Sequence, residues 1–157
     1  MVRFWLSFLG VLAAYFYFSL SSFYGMYIDT PVSTFYARIS SILLNIFGYG
    51  VNVEKVTMTS NSFSMSVANG CEAVAPMVML STAILFYPYG TFVIKLKGII
   101  FGLFLIFLIN ILRLTSLFLI GVHFKDWYDL FHVEFWQAAF ILISLIYFVF
   151  WLKKSNN

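Results

Sequence analysis

Residues 98–121 read GIIFGLFLIFLINILRLTSLFLIG, an apolar run interrupted only by Asn110, Arg113 and the hydroxyls of Thr115 and Ser116. At 1.5 Å per helical residue the run is long enough to cross a hydrocarbon core of about 30 Å. Placing an arginine inside such a core costs roughly 2.5–3.5 kcal/mol on insertion scales, so Arg113 is read as a residue with a partner or a task. Asn110, three residues earlier, shares its helix face.

The remainder of the chain is of the same kind. Of 157 residues 62% are apolar and 10% are charged, and the mean hydropathy is +0.96, which excludes a soluble domain. Three further apolar runs qualify as membrane helices, Phe4–Tyr24, Glu72–Tyr87 and Glu134–Leu152. The short second run is expected to extend from Cys71 into the Pro88-Tyr89-Gly90 turn, and the fourth to open at His132. The fold class is therefore all-α integral membrane, one domain of about four transmembrane helices over residues 1–157, with helices at about 4–24, 71–88, 98–121 and 132–152. Phe4–Tyr24 follows Arg3 as a signal peptide would, but it is rich in aromatics and lacks a small-x-small cleavage site, so it is read as retained.

Between the first two runs the period changes twice. Phe35, Tyr36, Ile39, Ile42, Leu43, Ile46 and Phe47 recur at helical spacing opposite Ser33, Thr34, Arg38, Ser41 and Asn45. This predicts an amphipathic helix over about 32–47, lying on the outer leaflet or, alternatively, tilted into the membrane. Val51, Val53, Val56 and Met58, then Phe63, Met65 and Val67, alternate with polar residues around Ser60-Asn61-Ser62. That predicts a short β-hairpin over about 51–68, with a bulge where the parity slips at Glu54-Lys55.

Basic residues set the orientation, since lysine and arginine flanks favour the cytoplasm. Four crossings bring Arg3, Lys95, Lys97, Lys153 and Lys154 to one side, the expected inside, with both termini. The other side receives Arg38, Lys55 and Lys125 together with every acid, Asp29, Glu54, Glu72, Asp126, Asp129 and Glu134. The expected partner at this point is the lipid bilayer, and no nucleic acid partner is expected. Cys71 and His132 then stand at the outer entrances of their helices, and Arg113 lies eight residues, roughly 12 Å, below Gly121 on the same side. Its stem lets it snorkel outward.

Cys71, the only cysteine, cannot form an internal disulfide. A lone cysteine in a membrane helix is often an inert small hydrophobe, yet one at a helix start meets unpaired N–H groups that favour the thiolate. Arg113 either lowers the cost of that thiolate and of a developing oxyanion, or simply pairs with Glu72 or Glu134 to hold the bundle. His132 at a helix entrance offers a neutral imidazole as a base; His123 in the outer loop is the lesser candidate. Glu134 and Gln137 are supporting candidates beside Asn110. One cysteine and two histidines nine residues apart fit no usual zinc site, so no metal or cofactor is expected.

Asn69-Gly70-Cys71, Asn110-x-x-Arg113-Leu114 and Phe131-His132-Val133-x-x-Trp136-Gln137 together resemble, in order and spacing over about residues 48–152, the core of the exosortase/archaeosortase family, and most closely its compact exosortase H type. The resemblance implies a membrane-embedded cysteine transpeptidase or protease of the bacterial cytoplasmic membrane. It would process membrane-anchored proteins bearing a C-terminal sorting signal of the PEP-CTERM kind, with Cys71 as nucleophile, His132 as acid/base and Arg113 as thiolate or oxyanion partner. Many members carry serine or asparagine and then glycine after the cysteine; this chain has Glu72-Ala73, and an acid there disfavours the thiolate unless Arg113 offsets it. Two other classes stay open: a non-enzymatic assembly factor or chaperone binding partner helices through Arg113, and, with less polar residue support, an ion or proton pathway.

Overall fold

The computed structural model describes residues 2–67 and 70–155. Helix α1 spans Val2–Ser19 and is followed by a single turn, α2 (Ser22–Tyr24), capped by the Ser21 hydroxyl, which accepts the Tyr24 N–H. A π-helical turn, Gly25–Asp29, leads without a break into α3 (Thr30–Ile46), where Pro31 has no N–H to give to the carbonyls of the preceding turn. After the sheet come α4 (Val74–Phe86) and α5 (Phe92–His123), then a 3₁₀ turn at Lys125–Trp127, a π-helical turn at Leu130–Phe135, and α6 (Trp136–Ser155). Among the described residues three helical stretches are long and apolar enough to cross a membrane: Val2–Ser19, Phe92–His123 and the run Lys125–Ser155. The protein is thus an all-α membrane protein with a small sheet.

α4 is shorter than the run that contains it. It begins at Val74, after Cys71 and Glu72, and its 13 residues rise only about 20 Å, some 10 Å short of a ~30 Å core. Its last carbonyls are satisfied from the next helix, where Lys95 Nζ donates to the Leu85 and Tyr87 carbonyls at 3.0 and 2.6 Å.

Phe4 of α1 meets the Tyr87 ring, and the Gly90 turn lies beside Ser155 at the end of α6. These contacts gather the start of α1, the 87–90 turn and the end of α6 at one end of an antiparallel bundle, bringing Arg3, Lys95, Lys97, Lys153 and Lys154 with them. Close packing there depends on Gly98 and Gly102. Side chains at these positions would collide with the α6 rings of Trp151 and Tyr147, whereas hydrogen lets Tyr147 Oη donate to the Gly98 carbonyl at 2.6 Å.

The opposite end carries the sheet. Strands β1 (Asn52–Glu54), β2 (Thr57–Thr59) and β3 (Ser64–Ser66) form an antiparallel meander in which Val53, Met58 and Met65 are cross-strand neighbours, with Met58 and Met65 buried. The predicted two-stranded hairpin is therefore a three-stranded sheet. The parity slip at Glu54-Lys55 is a tight turn rather than a bulge, because Lys55 adopts a left-handed φ of 53° and reverses the chain. Ala68, at the end of the predicted hairpin, lies outside the described residues. The sheet is joined to α3 through Asn45, whose side chain accepts the Val51 N–H at 2.6 Å and donates to the Val51 carbonyl at 2.9 Å. It is joined to α5 through Phe63, which covers Gly121 and meets Phe118 edge to face.

α3 buries Ser33, Tyr36, Ala37, Ser40, Ser41 and Leu44, which is not the face expected from sequence: Phe35, Ile42, Ile46 and Phe47 of the predicted apolar stripe are exposed, and Ser33 and Ser41 of the opposite stripe are inside. It packs lengthwise on α5: Tyr36 and Phe35 meet the Phe107 ring, while Tyr49, just past the end of α3, bonds His123 at 3.0 Å. The two stations are sixteen residues apart on α5, roughly 24 Å, so α3 follows α5 along its length.

Candidate functional site

Two left-handed residues shape the turn that presents Cys71. Gly70 has φ 90°, which costs glycine nothing, and Ala73 has φ 57°, which costs a residue with a Cβ roughly 1–2 kcal/mol. Such strain persists only where surrounding contacts over-determine it. They do so here: Asn110 Nδ2 donates to the Cys71 carbonyl at 2.9 Å, and Glu72 Oε2 accepts the Gly70 N–H at 2.6 Å. Cys71 therefore stands in the turn ahead of α4 rather than as its first residue. Asn69 of the sequence motif lies outside the described residues.

The Cys71 sulfur is buried and faces both other polar outliers of the apolar runs. His132 Nε2 lies 3.4 Å from Sγ, and Arg113 Nη2 donates toward Sγ at 3.7 Å. Arg113 is 8% exposed, its guanidinium rests 5.5 Å from the centroid of the Phe140 ring, and among the described residues it makes no ion pair with Glu72 or Glu134. Its Nε and the Asn110 Oδ1 are buried with no hydrogen-bond partner among the described residues. A buried donor left over in this way costs about 1–3 kcal/mol and is satisfied if a ligand oxygen arrives.

His132 does not open a helix. It lies within the π-helical turn Leu130–Phe135, with helical backbone on both sides, so the helix N-terminus argument does not apply to it. A π-turn widens the helix and is common at functional positions. The imidazole is oriented instead by Tyr128, one turn earlier, whose ring stacks on it at 5.6 Å between centroids and 15° between planes.

Of the other candidates, Gln137 lines the same cavity as the three residues, Glu134 is exposed, and His123 is exposed and bonded to Tyr49. Tyr128 and Phe140 were not singled out from sequence. The i, i+4 spacing of Tyr128 and His132 was a readable signal; nothing local marked Phe140 as the floor beneath Arg113.

The depth of the site follows from helix lengths. Arg113 is sixteen residues beyond Lys97 at the basic end, roughly 24 Å, which sets it about one helical turn inside the far boundary of a ~30 Å core. The short α4 recesses Cys71 to a similar level. From there a cavity of about 800 Å³ runs between α1, α4 and α6, from Cys71, Arg113 and His132 at one end to Phe4 and Tyr87 at the other. No group of three or more histidine, cysteine or acidic residues suited to a metal occurs among the described residues.

A small helical membrane bundle that closes a thiol, a guanidinium and an imidazole around one recessed cavity defines a multi-pass membrane protein with a Cys–Arg–His site. The family model for transmembrane exosortases matches residues 1–152, and the chain belongs to that family. Neither the curated proteins nor the solved structures yield a match to it.

Proposed function

We propose that this exosortase-family protein is a cysteine transpeptidase or protease that cleaves C-terminal sorting signals of membrane-anchored exported proteins, at the outer face of the bacterial cytoplasmic membrane and with both termini inside. The observation that carries the reading is the approach of His132 Nε2 and Arg113 Nη2 to the Cys71 sulfur, at 3.4 and 3.7 Å. A base and a fixed positive charge on one thiol are what a cysteine nucleophile needs.

The sulfur gives its proton to His132 Nε2 and attacks the scissile carbonyl carbon. The carbonyl oxygen, now anionic, is held by the Arg113 guanidinium, whose Nε is otherwise without a partner among the described residues. Collapse of the intermediate breaks the C–N bond, His132 returns the proton to the leaving amine, and a thioester remains on Cys71. An amine acceptor or water, deprotonated by His132, then attacks the thioester and releases the thiol. The cavity between α1, α4 and α6 gives the substrate's own membrane helix a lateral approach to the sulfur.

The assembly-factor reading needs Arg113 available to a partner helix, and its burial against Phe140 and Cys71 gives that reading no observation of its own. The test is Cys71→Ala expressed in membranes with a cognate substrate and scored by the size of the processed product. Loss of processing at normal protein level is expected; processing at the wild-type rate rejects the mechanism.

A further inference from the structure

Glu72 is the residue that the catalytic reading leaves without a task. It is 4% exposed, adjacent to the sulfur-bearing residue, and engaged in no ion pair among the described residues. Burying a carboxyl group is costly unless its oxygens are satisfied, and both are. Oε2 accepts the Gly70 N–H at 2.6 Å, and Oε1 accepts the Tyr24 hydroxyl at 3.2 Å. Tyr24 is itself 3.1 Å from the Tyr15 hydroxyl, so the polar contact continues from Glu72 to α1. Burial, then the bond to Tyr15 and the charge of Glu72, holds the Tyr24 phenol above its ordinary range, so it stays a donor.

The geometry points to Glu72 as a positioning residue, which clamps the Gly70-Cys71 turn to Tyr24 and so fixes the sulfur between His132 and Arg113. The first oxygen locks the left-handed Gly70 against Glu72 itself, closing the turn around Cys71. The second ties that turn to the α1–α2 segment, 48 residues away in sequence. Asn110 holds the same turn from α5 through the Cys71 carbonyl. The strained Ala73 is thus pinned from both sides, and the α1 end of the chain becomes part of the apparatus that aims the thiol. This inference rests on the reading of Cys71 as the nucleophile.

The test uses the full-length protein with Glu72→Ala, Glu72→Gln and Tyr24→Phe. Each variant is measured for processing of a cognate substrate, with kcat and KM separated, and for iodoacetamide alkylation of Cys71 in the purified detergent-solubilised protein. Misplacement of a reacting group by about 1 Å can cost on the order of a hundredfold, so Glu72→Ala is expected to lower kcat roughly ten- to hundredfold at unchanged KM. Its alkylation rate should shift as well. Glutamine keeps an acceptor for Gly70 and a polar group for Tyr24, and should recover most of the loss. Tyr24→Phe, which removes one tie without emptying the site, should lower kcat less than Glu72→Ala while leaving protein level unchanged. Wild-type kcat and alkylation in both Glu72→Ala and Tyr24→Phe overturn the proposal. So does a Glu72→Gln variant as defective as Glu72→Ala, or a Glu72→Ala defect that only tracks loss of folded protein while Tyr24→Phe stays normal. Failure of the enzyme reading shows separately, as processing that survives Cys71→Ala, while the alkylation rates still report on the clamp.

Discussion

Replacing Arg113 with glutamine removes the charge and leaves a polar amide on a shorter side chain, which reports what the guanidinium does for the sulfur. The Nη2–Sγ distance is 3.7 Å, and at an effective dielectric of about 20 a unit charge pair at that range is worth about 4 kcal/mol, as an upper figure. At 1.36 kcal/mol per decade, up to about a thousandfold of reactivity depends on it. Arg113→Gln should therefore slow both substrate processing and iodoacetamide alkylation of Cys71 at neutral pH by two to three orders of magnitude, roughly. Arg113→Lys keeps the charge but loses the planar fork and its seat on Phe140, and should fall between the two. Both rates are measured on protein shown to be folded by its elution in detergent. If Arg113→Gln alkylates and processes within about threefold of wild type, less than 1 kcal/mol is at stake, and the electrostatic role of Arg113 is refuted.

Three other perturbations follow from particular contacts. Tyr128→Leu removes the ring stacked on His132, an interaction worth about 0.5–1.5 kcal/mol, so processing should fall about three- to tenfold with the protein still folded; an unchanged rate means the stack does not orient the imidazole. Asn110→Ala leaves the Cys71 carbonyl without its donor and should lower stability by about 1–3 kcal/mol, seen as earlier thermal unfolding in detergent, together with loss of activity. Gly102→Leu drives a side chain into Leu80 and Tyr147 and should destabilise the bundle by about 1–3 kcal/mol, whereas the same change at Gly10, with open space around it, should not. Equal unfolding temperatures for these two glycine variants count against the packing described for α5 and α6.

The apolar runs exposed the bundle because a membrane helix needs little beyond length and hydropathy, and α5 satisfies both without ambiguity. The second run misled at its start. Hydropathy is blind to the left-handed Ala73 that delays α4 until Val74, so Cys71 was read into the helix. Periodicity found α3 but not its buried face: of the expected apolar stripe only Tyr36 is buried, while Ser33 and Ser41 of the opposite stripe turn inward, because in a membrane protein small hydroxyl residues pack between helices and large apolar ones can face lipid. The contacts of Phe35 and Tyr36 with Phe107 and of Tyr49 with His123 settle that α3 runs along α5. The site was legible as far as its polar outliers, since Cys71, Arg113 and His132 each interrupt or flank an apolar run. Its supports were not, because Tyr24, Tyr128 and Phe140 are aromatics in a chain where 22% of residues are aromatic, and composition hides them.

The disposition of charge explains why an acid next to the sulfur is compatible with the proposed chemistry. A guanidinium buried without a carboxylate partner is held at a cost, and that cost falls when a negative charge forms beside it. Had Glu72 paired with Arg113, the guanidinium would already be satisfied, and a thiolate or an oxyanion would gain little from it. Instead the carboxyl oxygens are occupied by the Gly70 amide and the Tyr24 hydroxyl, and the Nη2 of Arg113 is directed at sulfur. Keeping the two apart requires an anchor for Glu72 that does not come from α5, and Tyr24 supplies it from the segment after α1. Tyr24→Phe combined with Glu72→Gln is thus expected to impair processing by less than the two single effects combined, because both changes act on the one Tyr24–Glu72 contact; strict additivity would show that each acts on the sulfur independently.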